Sequence, residues 1–207
     1  MMGPDATRRG FLTLGLMSAG LGMLGLAGCS TSPPPQIFSL AIQPGTELEG
    51  GPATLAVASA AIPKYLDRPQ IVRRSDAYEL QISDVERWGE EMRDMVTRVL
   101  IENLTLRLPA SQVVGTSGSL TIRADVTVEV DITRFDADQS GKVLLDARSA
   151  VQREGRRPSV WSDRITVQPA SPSITVAAMS EALGELSDRI ARMLAVSARE
   201  GADRRLT

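Results

Sequence analysis

The chain has no histidine and a single cysteine, Cys29. Zinc sites built on His and Cys, nucleophiles paired with an imidazole, and internal disulfides are all excluded by that inventory. Aromatic side chains are nearly as scarce, with two Trp, two Tyr and three Phe among 207 residues. That is too few for a stacking surface or a sugar platform, so the core must be aliphatic. Positive charge is not in excess either: 23 Lys and Arg face 25 Asp and Glu, a net charge of −2, which leaves no electrostatic footprint for nucleic acid. A phosphate-cradling Walker A motif is absent from the sequence, so the chain does not power its own work with a nucleotide. What remains, 43% hydrophobic and 23% charged residues with 17 Gly and 12 Pro, is the composition of an ordinary folded domain.

The first residues read as an address. Arg8 and Arg9 precede an apolar, uncharged run from Phe11 to Ala27 that is interrupted by glycines, a basic region followed by the apolar region of an export signal. The run is short for a helix that must cross about 30 Å of hydrocarbon. It ends at Leu26-Ala27-Gly28-Cys29 and is followed by Ser30-Thr31-Ser32-Pro33-Pro34-Pro35. A large apolar residue three before a lone Cys, with two small residues between, resembles the lipobox of bacterial lipoproteins. That resemblance implies cleavage before Cys29, a diacylglyceryl thioether on its sulfur and palmitate-type acylation of the new amine. Several long chains anchor a protein almost irreversibly at about 0.8 kcal/mol per buried CH₂. The prolines favour an extended spacer at about 3.1 Å per residue. Thr7-Arg8-Arg9-Gly10-Phe11-Leu12 fits a twin-arginine signal and a Sec signal equally. Ser30, in place of an Asp that retains lipoproteins at the inner membrane, points to the periplasmic face of the outer membrane. The expected domains are a signal peptide over 1–28, a lipidated tether over 29–35, a folded domain over 36–200 and a polar tail over 201–207.

Within the folded domain, the pattern predicts strands over Gln36–Ile42 and Ala53–Ala58, with Leu55 and Val57 sharing a face. A hairpin of Gln70–Arg73 and Tyr78–Ile82 is expected around Ser75-Asp76-Ala77. Met92, Met95, Val96, Val99, Leu100, Asn103 and Leu104 recur at helical spacing within 90–108, a stretch that Pro109 ends. Strict alternation from Leu120 to Ile132 predicts a strand about 43 Å long at about 3.3 Å per residue, long enough to require a bend or bulge. The Asp136–Gly141 segment supplies a turn, Val143–Val151 returns, and Val160–Val167 adds an edge strand. Val176, Met179, Leu183, Leu186, Ile190 and Met193 mark a second helix over about 173–199, capped by Ser173. The fold class is therefore α+β: one antiparallel-dominated β-sheet with two amphipathic helices packed on one face.

Between the second strand and the hairpin lies Ile62-Pro63-Lys64-Tyr65-Leu66-Asp67-Arg68-Pro69-Gln70-Ile71-Val72, and Glu86-Arg87-Trp88 precedes the first helix. Two prolines fix a rigid crossover, Asp67 and Arg68 are placed to organise its backbone, and Trp88 is placed to seal the helix start. Tyr65, Asp67, Arg68 and Trp88 are the candidate partner-facing residues. Methionines 92, 95, 179 and 193 offer an adaptable lining for a hydrophobic ligand in a groove between sheet and helix, but core packing is the expected fate of all four. Carboxylate pairs such as Asp84 with Glu86 and Asp136 with Asp138 are candidates for acid–base chemistry, but closely spaced acids beside turn signals ordinarily form solvated loops.

These segments, with Arg134-Phe135 and Leu144-Leu145-Asp146-Ala147, resemble the ABC-type transport auxiliary lipoproteins, the PqiC-like family, over nearly all of the chain after Cys29. The Pro63–Val72 stretch is the most specific part. Arg148-Ser149 departs from the pattern, which has an aromatic there. The resemblance implies a non-enzymatic lipoprotein without cofactors that serves an ABC permease and ATPase and an MCE-type substrate-binding subunit. Such a system moves lipids or other hydrophobic molecules between the two membranes, and homo-oligomerisation is part of the implied picture. The alternative from the residues alone is a structural or assembly lipoprotein of an outer-membrane complex.

Overall fold

A computed structural model describes residues 33–117, 123–171 and 175–203, with side chains described to residue 196. Pro35–Thr207 form one compact unit. The lipobox, Cys29, Arg8 and Arg9, the expected cap Ser173 and the expected strand start at Leu120 lie outside the described residues.

The strands are β1 (Gln36–Phe38), β2 (Thr54–Val57), β3 (Gln70–Arg74), β4 (Leu80–Trp88), β5 (Gln112–Gly115), β6 (Val126–Asp138), β7 (Val143–Arg153) and β8 (Ser159–Val167). The helices are α1 (Met92–Arg107) and α2 (Thr175–Asp203), so α2 runs into the segment expected as a polar tail. All eight strands join one mixed sheet, in which the long antiparallel ladders β6–β7 and β7–β8 carry most of the pairing. Shorter parallel ladders join β1 to β4, β2 to β5, and β6 to both β2 and β3.

β6 organises the sheet. Val126, Val128, Val130 and Ile132 are buried, while Glu129, Asp131 and Thr133 face solvent. The register then shifts between Ile132 and Arg134. One extra residue reverses the alternation, so Phe135 and Ala137 continue the inward row and Arg134 and Asp136 fall on the outer face. The bend expected from the strand's length is this bulge. The strand also runs six residues past its expected end, so Asp136 is not in the turn, which is made by Asp138 and Gly141 instead.

The inward faces of β6, β7 and β8 and the buried stripes of both helices make one aliphatic core around Phe135, Leu145, Ile165, Met95, Leu100 and Leu186. Both helices contact each other and this side of the sheet. Met92, Met95 and Met179 are core residues at 2% exposure or less, so no groove separates them. Met193 does not join them: it is 46% exposed, and Ile190, Ala191 and Leu194 carry the stripe. The register of the stripe drifts because 3.6 residues per turn do not match alternating steps of three and four over this length.

The second strand of the hairpin, expected over Tyr78–Ile82, is β4 and runs from Leu80 to Trp88; β1 and β2 differ from expectation for identifiable reasons. β1 stops at Phe38 because the next backbone donors go to helix side chains. Leu40 N bonds Met95 Sδ at 3.2 Å, Ala41 N bonds Ser180 Oγ at 3.0 Å and Gln43 N bonds Asn103 Oδ1 at 2.8 Å. In β2, Leu55, Ala56 and Val57 are all buried, because β2 lies between β5 and β6 in parallel pairing with both faces covered.

One buried cation clamps the helices to the chain that enters them. Arg107, 1% exposed, gives hydrogen bonds to the carbonyls of Gln43 (2.9 Å), Asn103 (3.0 Å) and Gly184 (3.1 Å) and pairs with Asp188. Gly184 leaves the room: a Cβ there would meet Gln43 Cβ at 2.8 Å.

Candidate functional site

β2 and β3 lie end to end along the same edge of β6, one beside Val126–Val128 and the other beside Ala137–Asp138. The Pro63–Pro69 motif is the connection between them. It stays on the sheet edge: Ala58 N bonds Val128 O, Ala61 N bonds Val130 O and Ile132 N bonds Ala61 O, each at 2.9 Å. Ala60 N bonds Thr97 Oγ1 of α1 at 2.9 Å, fastening the loop from the helix side.

The motif then makes a single tight turn, Lys64–Leu66. Its backbone satisfies itself through Leu66 N to Pro63 O (3.0 Å), Asp67 N to Lys64 O (3.2 Å) and Arg68 N to Leu66 O (2.8 Å). The carboxylate of Asp67 therefore takes no part in the turn expected of it. It faces outward between Lys64 Nζ at 3.8 Å and Arg93 Nη2 at 3.9 Å. Arg68 is half-buried, and its Nε has no hydrogen-bond partner among the described residues.

Tyr65 and Trp88 turn inward. Trp88 closes β4, is 6% exposed, and its N–H bonds Pro69 O at 2.7 Å, which places it four residues before α1 and in the same core cluster as Met92. The Tyr65 hydroxyl donates to Asp136 Oδ2 at 2.8 Å and accepts from Phe135 N at 3.4 Å. Asp136, with a fully covered side chain, is also held by Arg74 Nη2 at 3.2 Å and Arg134 Nη2 at 2.9 Å. The Arg74 guanidinium lies 5.8 Å from the Tyr65 ring centre. Burial, reinforced by the hydrogen bond to Asp136 and its negative charge, pushes the Tyr65 phenol up to about 12. The four candidate residues thus divide: Tyr65 and Trp88 lock the loop down, Asp67 faces outward, and Arg68 is half-buried.

Sequence reasoning missed the other half of this cluster. Asp136 sits in an Asp-x-Asp-x-x-Gly string that reads as a turn, and nothing local reveals that its partners lie on β3 and in the motif. Neither carboxylate pair presents two facing acids. Glu86 is paired with Arg73, which holds its carboxyl below the usual range, while Asp84 is exposed. Asp138 Oδ1 organises the turn through Ser140 N (2.9 Å) and Lys142 N (3.1 Å). At the departure from the pattern, Ser149 is fully buried on the inward face and Arg148 is exposed on the outer one. Arg148 there borders a shallow depression of about 360 Å³ shared with Ala58, Ala61, Glu129, Asp131 and Val160. Among the described residues no helix is long and apolar enough to cross a membrane.

The model of a family described as the ABC-type transport auxiliary lipoprotein component matches residues 38–191. Two solved structures are similar in fold. An uncharacterized protein has a TM-score of 0.63 at 19% identity, covering 78% of this chain and 99% of its own. A Xanthomonas campestris protein of the DUF330 family has a TM-score of 0.61 at 17% identity, covering 83% of this chain and 99% of its own. No curated protein matches the sequence.

Proposed function

Since the chain belongs to the ABC-type transport auxiliary lipoprotein family, we propose that it is an exported, Cys29-lipidated accessory subunit of an ABC transporter. It works without catalysis of its own, from the periplasmic face of the outer membrane. Its partner is an MCE-type substrate-binding subunit coupled to an ABC permease and ATPase, and the cargo is a lipid or another hydrophobic molecule passing between the membranes.

The observation that carries this reading is the family match over 38–191 directly downstream of a lipobox and a proline spacer. Two further features support it. The motif loop is pinned by Tyr65 and Asp136, with Asp67 exposed on its surface and Arg68 half-buried beside it, which suits recognition better than a mobile loop does. The aliphatic core is filled, with Met92, Met95 and Met179 enclosed, which suits a docking component better than a cargo carrier.

Mass spectrometry of the protein purified from its own membranes is expected to show a mature N-terminus at Cys29 carrying acyl chains, and Cys29→Ser is expected to release it from the membrane. Affinity purification of the lipidated protein is expected to bring down the MCE-type subunit. An uncut, unmodified N-terminus, or deletion of the gene with unchanged outer-membrane permeability and no such co-purification, overturns the proposal.

A further inference from the structure

The sheet has a direction that the topology makes explicit. β1 runs parallel to β4, Gln36 beside Glu86 and Phe38 beside Trp88. β4 is antiparallel to β3, and β3 is parallel to the last residues of β6. The chain therefore enters β1 from the end of the sheet that holds the Asp76–Tyr78 hairpin turn and the Asp138–Lys142 turn. The opposite end, where Val126 pairs with Arg153, holds the β7–β8 turn. The length of β6 separates the two ends, 13 residues or about 43 Å at about 3.3 Å per residue.

That far turn is crowded with positive charge. Its sequence is Arg153-Glu154-Gly155-Arg156-Arg157-Pro158, in a chain that is net negative overall. Glu154 is the turn's only acid, and Arg123 from across the sheet end already occupies it through bonds of 2.9 and 2.7 Å. Asp125, next to the start of β6, accepts a hydrogen bond from Thr54 N at 2.9 Å. Arg156 and Arg157 are exposed and make no ion pair among the described residues. Arg153 is half-buried, and burial together with the neighbouring Arg156 charge lowers its pKa from the usual arginine range. The turn is nevertheless ordered: Arg156 N bonds Arg153 O at 3.2 Å, and Gln152 Nε2 bonds the carbonyls of Arg153 and Arg156 at 3.2 and 3.3 Å. Gly155, at φ +70°, has nothing within 4 Å of where a Cβ would stand, so nothing in the described fold covers the tip.

We infer that the β7–β8 turn is a docking surface for an acidic face of the transporter's periplasmic subunit, with Arg156 and Arg157 as its contact residues. The inference rests on the accessory-subunit reading above: the chain enters β1 from the other end of the sheet, so attachment through the N-terminus leaves the far turn open to a partner. A pair of unneutralised guanidiniums on an ordered turn is a ready partner for carboxylates, which they can bind two hydrogen bonds at a time. Like-charge crowding in the free protein is relieved when carboxylates arrive. A protein face is favoured over lipid because the turn lies at the opposite end of the sheet from the tether.

The test uses the mature lipidated protein in phosphatidylcholine nanodiscs, titrated with the purified MCE-type subunit. The wild type is expected to bind, with affinity falling as salt is raised past the concentration at which charges more than about 10 Å apart are screened. Arg156→Glu/Arg157→Glu is expected to weaken binding about tenfold or more, with an unchanged circular dichroism spectrum and melting temperature. Arg156→Lys/Arg157→Lys, which keeps the charge but not the fork, is expected to lose only a few-fold. Equal binding by wild type and the Glu variant overturns the inference while leaving the accessory-subunit reading standing. So does a Glu variant that loses only its affinity for phosphatidylglycerol vesicles, since the occupant is then lipid. Absence of wild-type binding overturns the accessory-subunit reading itself, and the inference with it.

Discussion

Removing the Asp136 carboxylate tests whether the motif loop is held as described. Asp136→Ala strands two guanidiniums, Arg74 at 20% and Arg134 at 33% side-chain exposure, and leaves the Tyr65 hydroxyl without its acceptor at 2.8 Å. Breaking one side of a fully buried ion pair costs about 3–5 kcal/mol. Both arginines reach water on one side, so the expected loss is nearer 2–3 kcal/mol. Tyr65→Phe deletes one hydrogen bond to a charged acceptor, about 1.5 kcal/mol at a half-buried site. The two changes share that bond, so the double variant should fall short of the sum by about 1 kcal/mol, and Tyr65→Phe made in the Asp136→Ala background should cost only about 0.5 kcal/mol. Urea unfolding of the four proteins measures the cycle. Hydrogen exchange should show faster opening over 58–69 in each variant, with α2 unaffected. Additive losses, or unchanged exchange in the loop, would refute the claim that Tyr65 and Asp136 act as one latch.

Other expectations follow from the same contacts. The Tyr65 phenol, raised to about 12 from an ordinary 10.0, keeps its proton longer in the folded state than in the unfolded one. Its contribution to stability is therefore complete below pH 10 and lost as the pH climbs from 10 to about 12, and Tyr65→Phe should remove both that alkaline loss and the late phenolate step seen at 295 nm. Glu86, held below its ordinary value by Arg73, contributes stability that is present above about pH 4.5 and lost as the pH falls through the depressed value; Glu86→Gln should flatten that acid limb of the unfolding curve. Alanine in place of a helical glycine ordinarily gains about 1 kcal/mol. At Gly184 the new Cβ would press on Gln43 Cβ, and a net loss of about 1–2 kcal/mol in urea unfolding is expected. Arg107→Met, which removes the guanidinium donor from four carbonyls and from Asp188, should cost about 3 kcal/mol or more by the same measurement.

The legible parts of the fold were those written in local periodicity. Both helices, the long alternating strand, its return and the edge strand follow from spacing that a single element repeats many times. β5 escaped because Gln112–Gly115 is four residues with no alternation to count. β2 was legible as a strand but not as one buried on both faces, since three small or branched apolar residues in a row fit either a one-sided or a two-sided position. Asp136 shows the limit most clearly. A bulge of one residue moved it from a turn to a strand face, and its partners Tyr65 and Arg74 lie 71 and 62 residues away. Of the four candidate loop residues, sequence chemistry located the loop, but which side chains turn in or out depends on β6 beneath it.

The short strand β1 has a mechanical meaning. Tension applied along the axis of β1, an edge strand, shears the Gln36–Phe38 ladder with all its bonds strained together instead of peeling them one at a time. Behind that ladder, the bonds from Leu40, Ala41 and Gln43 to Met95, Ser180 and Asn103 pass any remaining pull directly to both helices. A body stitched in this way, held by its N-terminus as proposed above, can be pulled without unravelling from its attached end.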